Sequence, residues 1–130
     1  MPISLDEVRY ALTGPVASVP TTFHEDGSID FDGLRGFVDF TIAGGSRTML
    51  LTYGDSLYSV LTDEEIGEVT KAVVEYTAGR AMVTAACGEW ATPKAIEFAR
   101  YGAQIGVDLQ MLMPPNWAGS ATVDTMVEHY

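Results

Sequence analysis

Four short apolar runs, Val16–Pro20, Thr48–Thr52, Ala81–Ala85 and Leu109–Met113, alternate with segments whose apolar residues recur every three or four positions. The runs are rich in β-branched residues or methionine and show no polar alternation. That pattern predicts strands buried on both faces, as in a parallel sheet. Between them, Phe31–Ala43 places Leu34, Phe37, Val38 and Ile42 on one helical face, and Asp63–Thr77 does the same with Ile66, Val69, Val73 and Tyr76. A third helix is predicted over Pro93–Ile105, with Thr92 as its cap, Pro93 at its first position, and Ile96, Ala99 and Ala103 facing inward.

Gly44, Gly79 and Gly106 stand where these three helices should stop. Ser4-x-x-Glu7 has the form of a capping box for a short leading helix over Leu5, Val8 and Leu12, and another helix is expected to begin near Ser120–Val123. The strand starts, at residues 16, 48, 81 and 109, recur at the length of one strand-helix unit, roughly 30 residues. The fold class is therefore α/β: about four βα units with parallel strands. These form either an open doubly wound sheet or part of a closed (β/α)8 barrel, in which four units make one half.

Composition narrows the function. With 47% hydrophobic and 19% charged residues, the 130-residue chain has enough apolar surface for a core. Seven Lys and Arg against eighteen Asp and Glu give a net charge of -11, which repels a phosphate backbone, so no nucleic-acid partner is expected. No apolar run approaches the roughly 20 residues of a membrane helix, and MPISLDEVRY lacks the basic start and apolar centre of a signal peptide. The expected location is the cytoplasm, with no membrane partner. Cys87 is the single cysteine, without zinc-ligand spacing, and is expected to be a small buried residue.

The stretch LTYGDSLYSVLTDEE, residues 51–65, stands out because it sets a carboxylate and four hydroxyls (Tyr53, Asp55, Ser56, Tyr58, Ser59) between a strand and the helix start Thr62-x-x-Glu65. Glu64 and Glu65 suit a helix N-terminus without any catalytic role. His24 and His129 have no third ligand spaced to join them and are expected as surface polar groups. Lys71 is expected on a solvated helix face, and Lys94 is expected to project from the outer ring. No Walker loop or Gly-x-Gly-x-x-Gly follows any strand, so a nucleotide site lacks its usual signature.

GPVASVPTTFHEDGSIDFDGLRGFVDFTIAGG, LTDEEIGEVTKAVVEYTAGR, TPKAIEFARYGAQIGVD and the LMPPNW turn together resemble the first half of the dihydrodipicolinate synthase / N-acetylneuraminate lyase family. The resemblance runs over nearly all of residues 12–130. It implies a (β/α)8 TIM barrel, usually tetrameric, in which a lysine forms a Schiff base with a 2-oxo acid such as pyruvate. That lysine lies on the family's sixth strand and the proton-relay tyrosine on its fifth, both beyond Tyr130. Residues 1–130 would then be the N-terminal half of a barrel, incomplete at the C-terminus. No catalytic residue falls within them, and alone they are expected to be inactive. The chemistry calls for no redox cofactor and no metal.

The same resemblance marks the substrate-binding candidates. Thr21 matches a pocket-lining threonine after strand one, where its hydroxyl would otherwise be satisfied by the loop backbone. The family's Gly-Thr-Thr-Gly-Glu, which binds the 2-oxo acid carboxylate, falls without gaps on Tyr53, Gly54, Asp55, Ser56 and Leu57. Shifted by one, its glycine and two threonines fall on Gly54, Asp55 and Ser56. Either way only one hydroxyl of the pair is kept, and an ionised Asp55 repels a substrate carboxylate. Asp55 would instead cap the loop backbone, bind a sugar hydroxyl, or meet a cation from a neighbouring chain. After strand four, Pro114-Pro115-Asn116-Trp117 puts Trp117 where the family often has a tyrosine, and indole donates but does not relay a proton. Against the enzyme stands a non-catalytic half-barrel that pairs with itself or a second half through its open edge strands, or a small-ligand-binding open sheet.

Overall fold

The computed structural model describes residues 3–87, 91–114 and 121–130, with the side chain of Cys87 outside the description. Four strands, β1 (Val16–Ser18), β2 (Thr48–Leu51), β3 (Met82–Cys87) and β4 (Leu109–Leu112), form one sheet in the order β1-β2-β3-β4. Every neighbouring pair is parallel, with Val16 opposite Thr48, Thr48 opposite Met82, and Thr84 opposite Leu109. A doubly wound sheet needs a reversal of strand order, and this consecutive order has none. Right-handed crossovers then put the connecting helices on one face of the sheet.

Those helices are α2 (Phe31–Ala43), α3 (Asp63–Thr77) and α4 (Thr92–Ile105); α1 (Leu5–Ala11) precedes the sheet and α5 (Val123–His129) follows it. α3 packs against both α2 and α4. The core lies between the sheet and α2–α3: Leu34 and Val38 from α2, Met49 and Leu51 from β2, and Val69 and Val73 from α3 have no exposed surface. Each such side chain withdraws surface worth about 1.5–3 kcal/mol from water. The opposite pleat, with Val16, Ser18, Leu50, Thr84 and Leu109, faces away from the helices.

Helix limits follow local chemistry. Ser4 with Glu7 and Thr62 with Glu65 each close a reciprocal capping box, and Asp30 accepts the Gly33 N–H at 2.8 Å to start α2. α3 ends on Ala78 in the left-handed region with Gly79 behind it, and α4 ends on left-handed Gly106. Gly44 keeps a right-handed conformation, and Gly45 takes the positive φ that turns the chain.

Four expectations are corrected. Thr92 is the first residue of α4 rather than its cap; Ala91 holds the cap position, and the Thr92 hydroxyl lies 2.9 Å from Nδ1 of His129. His129 is accordingly buried, 6% exposed, between α5 and the start of α4, with its ring edge-to-face on Tyr130. The inward face of α4 is carried by Ala95, Phe98 and Gly102, whereas Ile96 is 45% exposed. The leading helix buries only Ala11 and leaves Leu5 exposed.

Candidate functional site

The loop after β2 meets the end of β1 at the C-terminal rim of the sheet, the end at which (β/α)8 enzymes build their sites. Its backbone is tied to itself. The Ser56 N–H donates to the Thr52 carbonyl at 3.2 Å, the Thr52 N–H donates to Ser56 Oγ at 2.9 Å, and the Asp55 N–H donates to Thr52 Oγ1 at 3.2 Å. Thr21 then clamps the loop onto the chain after β1, its hydroxyl donating to the Ser56 carbonyl at 2.6 Å. Both Thr21 and Ser56 are buried. The Thr21 hydroxyl is thus satisfied by loop backbone.

Asp55 is exposed, and its Oδ2 accepts the Ser18 hydroxyl at 2.8 Å. Of the three roles weighed for this carboxylate, backbone capping is not the one seen: its partner is a side chain on the strand beside it. Ser18 lies on the pleat away from the helices, level with Leu50 and Thr84. The pair therefore stands at the rim of the face that a barrel turns inward. Among the described residues no Lys, Arg or His reaches ion-pair distance of Asp55.

Tyr53 takes the other direction. Its ring packs edge-to-face on Tyr58, with centroids 5.9 Å apart, and lines a recess of about 400 Å3 between α3 and α4. Ile66, Phe98 and Tyr101 wall that recess, and Lys94 pairs with Asp63 across it at 2.6 Å. Tyr58 anchors the loop from below: it is buried, its hydroxyl lies 2.7 Å from Thr70 Oγ1, and burial pushes its phenol well above the usual value of 10 despite that hydrogen bond. Leu57, between anchor and rim, sits in the left-handed region at φ 58. A Cβ on Gly54 would meet nothing within 4 Å, so no close approach requires glycine there.

The structure brings Thr21, Asp55 and Ser56 into one connected rim, leaves Gly54 exposed beside them, and turns Tyr53 to the helix side. Trp117 lies outside the described residues. Two participants escaped the sequence reading: Ser18, the partner of Asp55, and Thr52, which splints the loop. Ser18 had left a trace as the one polar residue in the apolar run Val16–Pro20. Neither lysine considered above lies on the free face: Lys71 is exposed on α3 beside Glu75, and Lys94 is bound to Asp63. Among the described residues no three His, Cys, Asp or Glu side chains are grouped to hold a metal, and no helix is long and apolar enough to cross a membrane.

The family model for the dihydrodipicolinate synthetase family matches residues 11–130. A 4-hydroxy-tetrahydrodipicolinate synthase of Methylibium petroleiphilum is 33% identical over 121 residues, which are 92% of this chain and 40% of that protein. A Streptomyces avermitilis protein named probable 5-dehydro-4-deoxyglucarate dehydratase 2 is 35% identical over 112 residues, 85% of this chain and 33% of its own. The crystal structure of a chloride-inhibited dihydrodipicolinate synthase from Acinetobacter baumannii, complexed with pyruvate, superimposes with a TM-score of 0.82 at 25% identity, over 90% of this chain and 40% of that one. The chain thus spans about 40% of the length of the relatives it matches. Its consecutive parallel strands and helices are the first half of a (β/α)8 TIM barrel. By sequence and by fold, the chain belongs to the dihydrodipicolinate synthetase family.

Proposed function

We propose that the protein is a lyase or aldolase acting on 2-oxo acids through a Schiff base, with this chain supplying one wall of the substrate pocket. The observation that carries the reading is the family match over residues 11–130; the rim of Ser18, Thr21, Asp55 and Ser56, at the strand ends where barrel enzymes bind substrate, supports it. In this scheme a lysine amine attacks the substrate carbonyl and water leaves. The resulting protonated imine draws electrons through the neighbouring carbon, so that the carbon–carbon bond on that carbon's far side breaks, or forms in reverse. The lysine and the proton-relay tyrosine come from strands beyond Tyr130.

Relatives frame the substrate class. One solved neighbour holds pyruvate, and another relative is named for a hydroxylated sugar diacid. Residues 1–130 serve as the N-terminal half of the barrel, and the whole works in the cytoplasm as a homo-oligomer. β1 and β4 support the need for cover, since Val16 is 42% and Leu112 39% exposed on strands with a neighbour on one side only.

The test is the intact mass of the protein from its native source after incubation with pyruvate and borohydride, which reduces the imine to a stable secondary amine. A chain longer than 130 residues carrying one reduced pyruvyl adduct is expected. A protein that takes up no adduct at any pyruvate concentration contradicts the proposal.

A further inference from the structure

We infer that α1 seals the N-terminal end of the barrel, and that its apolar face, formed by Leu5, Val8 and Leu12, docks on the barrel's second half, the strands beyond Tyr130. The inference rests on the half-barrel reading and adds to it the surface that α1 covers. The three residues share one side of the helix. That side meets little within these 130 residues: Leu5 is 74% and Leu12 48% exposed, and Val8 is half-buried.

The anchoring of α1 shows where this face looks. Thr48 shares a pleat with Leu50, so its side chain points away from the connecting helices, to the side that a barrel turns inward. It is buried all the same, because its hydroxyl donates to the Ala11 carbonyl at 2.9 Å. The last turn of α1 therefore lies across the inward side of the sheet, at the end where the strands begin. Arg47 fastens the same turn: its guanidinium stands 4.1 Å from the centre of the Tyr10 ring, and its Nη1 donates to the Thr13 carbonyl at 3.4 Å. Held through Tyr10, Ala11 and Thr13, the helix leaves Leu5 and Leu12 in solvent. The apolar surface runs on from Leu12 to Val16, also exposed, on the open edge of β1. In a closed (β/α)8 barrel that edge pairs with the last strand, and the interior is a packed stack of side chains whose lowest layer needs cover from water. The interface that begins on β1 thus continues onto α1, with the same occupant. The relatives have the length to supply it, since this chain spans about 40% of them.

The test uses the whole protein from its source, weighed intact and then melted as wild type, Leu5→Ala, Leu12→Ala and Leu5→Met, with the size of each followed by sedimentation. At an exposed helix position leucine to alanine is nearly neutral, because alanine is the better helix former, so a loss reports burial. Each alanine variant is expected to lower the melting temperature by about 5 °C or more at unchanged size. Leu5→Met keeps the volume and is expected to recover most of that loss, which also covers the case in which Leu5→Ala does not fold. Unchanged melting temperatures in a chain longer than 130 residues overturn this inference and leave the half-barrel reading standing. A loss that comes with a smaller assembly gives the face to a second copy of the chain and overturns it as well. A native chain of 14.0 kDa overturns both.

Discussion

Asp55 and Ser56 are adjacent in one loop and do opposite things. Ser56 is buried, its hydroxyl accepting one backbone N–H and its carbonyl accepting the Thr21 hydroxyl, so every polar atom it brings is spent on holding the turn. Asp55 is exposed, touches one side chain, and keeps half of its carboxylate unspent. Within this turn the two successive side chains enter different surroundings, one the interior and one the solvent, and that divides structure from recognition. A buried polar group must be paired to be tolerated, whereas an exposed one is free to be kept for a ligand.

If that division is right, damage to the anchored side should cost stability and damage to the exposed side should not. The largest loss is expected from Tyr58→Ala, which empties the space beneath the loop and removes the hydrogen bond to Thr70, whose hydroxyl keeps only the Ile66 carbonyl; denaturant unfolding should show a loss of about 3–5 kcal/mol. Thr21→Val keeps the shape but leaves the Ser56 carbonyl without its donor, and about 1–3 kcal/mol should be lost in the same measurement.

Tyr58 also predicts a pH dependence. Burial raises its phenol above the ordinary value of 10, so the folded state keeps a proton that the unfolded chain releases. The stability tied to this proton is complete below about pH 10 and falls as pH rises from there toward the folded value. Tyr58→Phe should cost about 1 kcal/mol at neutral pH and flatten that alkaline decline, which thermal melts across pH would reveal.

Leu57→Gly is a smaller change in the other direction. The left-handed backbone at Leu57 costs a side-chain-bearing residue roughly 1–2 kcal/mol, and glycine regains part of it at the expense of unfolded-state entropy, for a net gain below about 1 kcal/mol. Smallest of all is Asp55→Asn, expected to shift unfolding by no more than about 0.5 kcal/mol. Should Asp55→Asn destabilise the protein as much as Thr21→Val, the loop would be a single structural unit and the contrast would fail.

Much of this architecture was legible in the chain. α2 and α3 span the predicted limits, Phe31–Ala43 and Asp63–Thr77, because their apolar faces and the Thr62–Glu65 box act over a few residues. The strands appear where continuous apolar runs placed them, although β1 closes after three residues. What escaped depends on partners far apart in sequence. Thr92 reads locally as a cap, yet its hydroxyl faces His129, 37 positions later. Ser18 and Asp55 are also 37 apart, and nothing local links a serine in one strand with a carboxylate after the next. On α4 the small residues carry the buried face: a Cβ on Gly102 would strike the Gln110 side chain, so a helix that packs through glycine and alanine misleads a reading keyed to large apolar residues.

The division between an anchored Ser56 and an open Asp55 is tested most directly by a crystal structure of the whole protein bearing a borohydride-trapped pyruvate adduct. The expected result leaves the Thr21 and Thr52 contacts of Ser56 intact and keeps Ser18 donating to the exposed Asp55 carboxylate, at about 2.5–3.0 Å. An adduct that draws Ser56 out of the loop interior, breaking both contacts, would contradict it.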